Sequence, residues 1–204
     1  MPELESALGG LDATETGRYG VVVELDLDDT TTYSIGQIRI GDLTGTYFGT
    51  QRVTTDNQGV AAFGGSDITM VRGGYEALAG LSLEPNVRRA IDQARAFDGA
   101  TEAFAGFFAS RRNYDVLLGR DDRGGWRCGV LEQSWRLGGA SGAEVAALAA
   151  FRADANVGAV RACSVERYGT MVAPANAIVH FSGVDQDVGT LTKYTIVEPY
   201  ESAP

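Results

Sequence analysis

The sequence is poor in the residues that most often carry chemistry. Among its 204 residues there is one lysine, Lys193, one histidine, His180, and two cysteines, Cys128 and Cys163. A lone histidine offers no pair for zinc and no His-based triad with a nearby serine, so His180, in AIVHFSG, is expected to be a satisfied strand residue. The cysteines stand 35 positions apart with no CxxC and no Cys/His cluster. That spacing points to free thiols in a reducing compartment, with a single disulfide as the other option. No run of about 18 apolar residues exists to span a bilayer, and Met1 to Gly20 lack the basic start and apolar stretch of a secretory signal. The expectation is a chain made in the cytoplasm with no membrane partner. Neither GxGxxG nor GxxxxGK[ST] occurs at a strand-to-helix junction, so the 27 glycines are read as turns and close strand packing.

Basic residues are also short. Lysine and arginine total 17 against 27 aspartates and glutamates, a net charge of −10, which disfavours a tight grip on nucleic-acid phosphates. What remains is ordinary for a globular chain: 44% hydrophobic and 22% charged residues, enough for one domain with a sizeable core. The expected organisation is an extended N-terminal arm over 1–18, a single β-rich domain over 19–199 and a C-terminal tail over 200–204.

Strand patterns dominate. In YGVVVELDLDD, Val21, Val23, Leu25 and Leu27 alternate with Glu24 and Asp26, which predicts a half-buried strand. YSIGQIRI, GDLTGTYFGTQRVTT and SDITMVR are rich in β-branched and aromatic residues, and TTDNQGVAAFGGS between them predicts a loop or hairpin tip. NYDVLLGRDDRGGWRCGVLEQSWRL reads as two strands turning at Arg120 to Gly125, and three further strand-like runs close the chain before Pro199. Helical spacing is confined to the middle. Val87, Ala90, Ile91, Ala94 and Phe97 form one apolar stripe behind Pro85 and Asn86, and Ser141 with Glu144 has capping-box spacing ahead of Val145, Leu148 and Phe151. TEAFAGFFASRR allows a second short helix or a strand. Strands come in groups and do not alternate with helices, so the fold class is mainly β with one or two flanking helices (α+β), an antiparallel β-sandwich or barrel.

One stretch resembles an enzyme signature. In VVVELDLDDTT an apolar run precedes Asp26, Asp28 and Thr30, a DxDxT order similar to that of haloacid-dehalogenase phosphatases. The resemblance implies Asp26 as nucleophile, Asp28 as general acid, and a Mg²⁺ for which Asp121 and Asp122 are the ligands on offer. Against it, strand formers follow the motif where a helix should start, and no βαβ alternation follows. The bland reading is an acidic turn in which Asp28 and Asp29 favour the bend. The same group lacks the sixth-place glycine and final glutamate of a calcium loop. Trp126, Trp135, Tyr47 and Phe48 are expected in the core or at a subunit interface, since stacking on bases calls for a basic groove. No catalytic, cofactor-binding or metal-binding residue is assigned, and no cofactor.

The order of elements resembles that of the major tail tube proteins of long-tailed bacteriophages. The pieces are the N-terminal arm, the glycine-rich strands around YSIGQIRIGDLTGTYFG, the passage from strand to helix in GLSLEPNVRRAIDQAR, and the late strand HFSGVDQDVGTLTKY. The resemblance implies a structural virion protein assembled in the host cytoplasm, whose copies form a homo-oligomeric ring, a hexamer, that stacks into a hollow conduit. DNA passes such a conduit without tight binding, and an acidic lumen suits that passage. The partners implied are further copies of the chain and other virion proteins, with residues 1–18 and 44–66 making the contacts between copies. The alternatives are another virion component such as a capsid decoration protein, a monomeric β-sandwich binding module, and the Mg-dependent phosphatase with Asp26 as nucleophile.

Overall fold

The computed structural model of the chain describes residues 2–200. Its β-branched and aromatic runs form eight strands: β1 Asp28–Ile40, β2 Leu43–Thr55, β3 Ala61–Arg72, β4 Arg111–Arg120, β5 Trp126–Ser134, β6 Ala159–Tyr168, β7 Ile178–Asp185 and β8 Gly189–Pro199. All pair antiparallel in one sheet of order β5-β4-β1-β2-β3-β6-β8-β7. The helices are α1 Pro2–Gly9, α2 Ala13–Tyr19, α3 Tyr75–Ala79, α4 Pro85–Ala100 and α5 Ser141–Ala153. The protein is thus mainly antiparallel β with flanking helices, the α+β class its sequence predicts.

Two apolar clusters sit on opposite faces of the sheet. Ile35 and Ile38 are three residues apart on β1, so their side chains leave the strand on opposite sides. Ile38 joins Tyr47, Met70, Leu148 and Phe151 beneath α5, whereas Ile35 joins Leu78, Ile91 and Tyr114 beneath α3 and α4. α4 lies over β4, β5 and β1, and α5 over β6, β8, β2 and β3. Each long helix therefore roofs a different half of the sheet, on a different face.

The predicted stripe on α4 is present: Ala90, Ile91 and Ala94 are buried, Val87 packs at the edge, Pro85 opens the helix, and Phe97 stacks on Tyr114 with ring centroids 5.5 Å apart. The hairpin turn over 121–125 forms where glycine and aspartate cluster, but of the loop expected over 54–66 only 56–60 is a hairpin tip: Thr54 and Thr55 end β2, and 61–66 open β3 because they pair with β2. At the tip the Asp56 carboxylate accepts from the Gln58 and Val60 amides at 2.8 and 2.9 Å.

Four further expectations need correction. Residues 2–19 are not an extended arm but two helices, the second capped by Asp12, whose side chain accepts from the Thr14 and Glu15 amides. The stretch 21–27 forms no strand; β1 begins only at Asp28, because Leu27 has run past the end of its neighbour β4 at Arg120. In 101–110 only Thr101–Ala103 is helical, as a single 3₁₀ turn, with Phe104 and Phe108 exposed. Ser141 does not cap α5: the N-cap is Ala140 without a side-chain bond, while Ser141 Oγ accepts from the Gly138 amide at 3.0 Å and Glu144 turns into the core. Of the predicted tail, 201–204 lie outside the described residues.

Two glycines are required by close approach. A Cβ on Gly36 would lie 2.4 Å from the ring of Tyr47, which crosses β1 at that point. Gly65 has φ +118°, and a Cβ there would meet the Ser164 carbonyl oxygen at 1.9 Å. Gly65→Ala is expected to lower unfolding free energy by roughly 1–3 kcal/mol through backbone strain, read as a drop in the urea midpoint, whereas Gly99→Ala, in open space within α4, should raise it.

Candidate functional site

Arg111, Glu144 and Tyr47 form the most polar part of the interior. Glu144 is fully buried and Arg111 nearly so. Nε and Nη2 of Arg111 donate to the Glu144 carboxylate at 2.8 and 2.9 Å, and its Nη1 donates to the carbonyls of Ser134 and Arg136 at 3.1 and 2.5 Å. Tyr47 Oη reaches both Glu144 Oε1, at 2.5 Å, and Asn113 Oδ1, at 2.6 Å. Asn113 Nδ2 then donates to Asp115, which also accepts from Ser34 Oγ at 2.6 Å. Burial, then the adjacent Glu144 charge, pushes the Tyr47 phenol well above its ordinary range, so it stays protonated and donates. A second knot lies beneath α4: Tyr114 donates to Asp98 at 2.6 Å, Trp135 Nε1 donates to Tyr114 Oη at 3.2 Å, and Arg112 pairs with Asp98 at 3.2 Å. Both knots are closed, each charge spent on a protein partner. They hold helices to the sheet.

The open site lies beside α4. α5 is on the other face, and on the α4 side only the short α3 packs on β2 and β3, so a groove of about 420 Å³ runs over the parts of β2, β3, β6 and β8 beside Val87. Phe48, Thr50, Thr69, Cys163 and Ile196 are among its lining residues. Its charges come in opposed sets: Arg52 grips Asp67 with two bonds of 2.6 and 2.5 Å, and Arg161 stands opposite Glu198 across the β6–β8 ladder. Desolvation raises the Tyr33 phenol at the groove wall. Burial likewise raises the Cys163 thiol, against the pull of the Arg52 cation. The groove thus combines apolar floor, balanced charge and a protonated thiol, which suits non-covalent contact with a chain segment or an apolar ligand.

The residues singled out in the sequence do not converge on either place. Asp26 is exposed and outside any strand. Asp28 opens β1 opposite Arg120, and Asp29 takes a left-handed φ of 51° at a register shift, its carboxylate 3.6 Å from Arg120. The acidic group therefore precedes a strand and does not follow one, the reverse of the signature it resembles. Asp121 organises the β4–β5 turn: it accepts from Arg127 at 2.7 Å and from the Gly125 and Arg123 amides, and those bonds, Arg127 first, hold its carboxyl below the usual range. Among the described residues no group of three or more His, Cys, Asp or Glu is placed to hold a metal. His180 sits at a register shift in β7 with Nε2 3.0 Å from Thr195 Oγ1. Tyr47 is core, Phe48 borders the groove, Trp135 stacks on Phe107 at 4.7 Å, and Trp126 lies beneath Arg120 at 4.5 Å, partly in solvent. Cys128 and Cys163 are both free thiols. Glu144 was expected to cap α5 and Arg111 had no expected role, because no local pattern pairs residues 33 positions apart.

Two measurements check these assignments. Arg111→Met leaves the Glu144 carboxylate buried without its cation and is expected to cost about 3–5 kcal/mol in urea unfolding, whereas Arg111→Met with Glu144→Leu should recover most of that loss. Because burial raises both thiols, reaction of the native protein with a disulfide reagent should be slow at pH 7 and accelerate above pH 9; a rapid stoichiometric reaction at pH 7 would refute the protonated-thiol assignment.

No curated protein and no solved structure matches the chain. A family model described as protein of unknown function (DUF3182) matches residues 1–195. That span takes in all but the last strand's end and the tail, and the chain therefore belongs to the DUF3182 family.

Proposed function

We propose that this chain is a structural subunit that polymerises with copies of itself, as a tail tube protein does when its rings stack into a conduit for phage DNA. The observation that carries the reading is the incomplete cover of the sheet. Among the described residues, strand β7 has β8 as its one neighbour and no strand on its outer edge, and the two long helices pack on other strands. Ile178 and Val184 on that strand are 57% and 77% exposed. An apolar, unpaired edge of this kind associates in water unless something covers it, and a polymer covers it with the next subunit.

Two further features support the same reading. The buried charges are spent in closed knots that stabilise the fold, and the net charge of −10 would repel DNA phosphates from any lumen the rings enclose. The groove beside α4 favours a second reading, a monomeric binding module, and the two separate on size. At high protein concentration the subunit should sediment far faster than its 21.6 kDa mass allows, and negative-stain micrographs should show rings or tubes. A single monomeric species at every concentration would overturn the assembly reading and leave the binding module.

A further inference from the structure

We propose that Val21–Leu27 of one copy adds as a ninth strand to the free edge of β7 in a second copy. This rests on the self-assembly reading above and names the surfaces that would meet. The segment has the composition of a strand without a partner: Val21, Val23, Leu25 and Leu27 alternate with Val22, Glu24 and Asp26, and Val22 is 86% exposed. Such a sequence in water leaves both its apolar side chains and its backbone donors and acceptors unsatisfied by protein.

It cannot be satisfied at home. Pairing of β1 with β4 begins only at Asp28 opposite Arg120, and Leu27 crosses Gly119 of β4, its Cβ 2.9 Å from where a Cβ there would stand, so the residues before it have no place in the ladder. From β1 to β7 is five strand spacings, roughly 24 Å, whereas Leu27 is one peptide, about 3.8 Å, from Asp28. Only another molecule's β7 can lie along it.

The sheet has two edges, and they differ. β5 carries Arg127 and Glu132, is bulged opposite Asp115 and Val116, and lies partly under α4, the features by which proteins block strand addition. β7 has no Asp, Glu, Lys or Arg from Ile178 to Val184. The lengths agree too, seven residues against the eight of β7, roughly 23–27 Å at strand rise. Because the donor and acceptor surfaces are different, the contact is head-to-tail and propagates into a closed ring or an open filament.

The test uses two variants of the full chain and sedimentation velocity. Val23→Pro disables the segment, and Ile178→Glu with Val184→Glu disables the edge by setting like charge against Glu24 and Asp26; all three positions are well exposed, and circular dichroism confirms folding. Each variant alone should be monomeric, and an equimolar mixture should give a one-to-one heterodimer, since each supplies the surface that the other lacks. If wild-type protein assembles and either variant assembles equally well, or the mixture stays monomeric, the pairing is wrong while the assembly reading stands. A wild-type chain that never assembles removes both. Independently of any variant, hydrogen exchange of Val21–Leu27 and of the β7 amides should slow at least about tenfold on assembly of the wild type, and unchanged exchange at 21–27 overturns the proposal.

Discussion

The contact on which the rest of this structure depends is the buried pair between Arg111 and Glu144. Arg111 opens β4 and Glu144 lies in the first turn of α5, so the pair ties the sheet to the helix that roofs its far half. The third nitrogen of the guanidinium takes the carbonyls at the exit of β5. Tyr47 joins from β2, and its ring reaches the pair only because Gly36 has no side chain in its way. Burying a charge without its partner is costly, so each member of this knot requires the others in place. Four separate elements are thereby held in register at one point.

The same arrangement explains why the surface is unevenly covered. α5 is held over one half of one face by Glu144, and α4 over the other half of the opposite face by its apolar stripe and the Asp98–Tyr114–Arg112 contacts. Each half-sheet thus has one long helical roof, and on the opposite side the half under α5 carries only the short α3. The groove beside Val87 lies over the part of β2, β3, β6 and β8 that α3 leaves uncovered, and β7 extends beyond the long helices altogether. The polar contacts are thus sealed inside while the apolar edge of β7 lies outside, and the proposed assembly rests on that contrast.

Most of the fold was legible in the sequence. Alternation and β-branched content marked β1 to β4 and the three closing strands, turn residues marked the hairpins over 56–60 and 121–125, and the 3.6-residue stripe from Val87 to Phe97 marked α4. The errors have a common physical form. The pattern in 21–27 is a strand pattern, yet a strand needs a neighbour, and β4 ends at Arg120 before it can serve. Ser141 and Glu144 have the spacing of a capping box, yet the glutamate finds a stronger partner in Arg111, brought from 33 residues away. The aspartates of DxDxT are adjacent in sequence but are spent at a bulge and in solvent.

By itself, then, the sequence determined the class of structure: local propensity and periodicity act within a few residues, and they suffice to specify strands, helices and turns. Which face each helix covers, which charges are buried together, and which edge stays open were decided only by the tertiary structure. Those outcomes depend on contacts between residues far apart in the chain, such as Arg111 with Glu144 and Gly36 with Tyr47, and no local pattern encodes them.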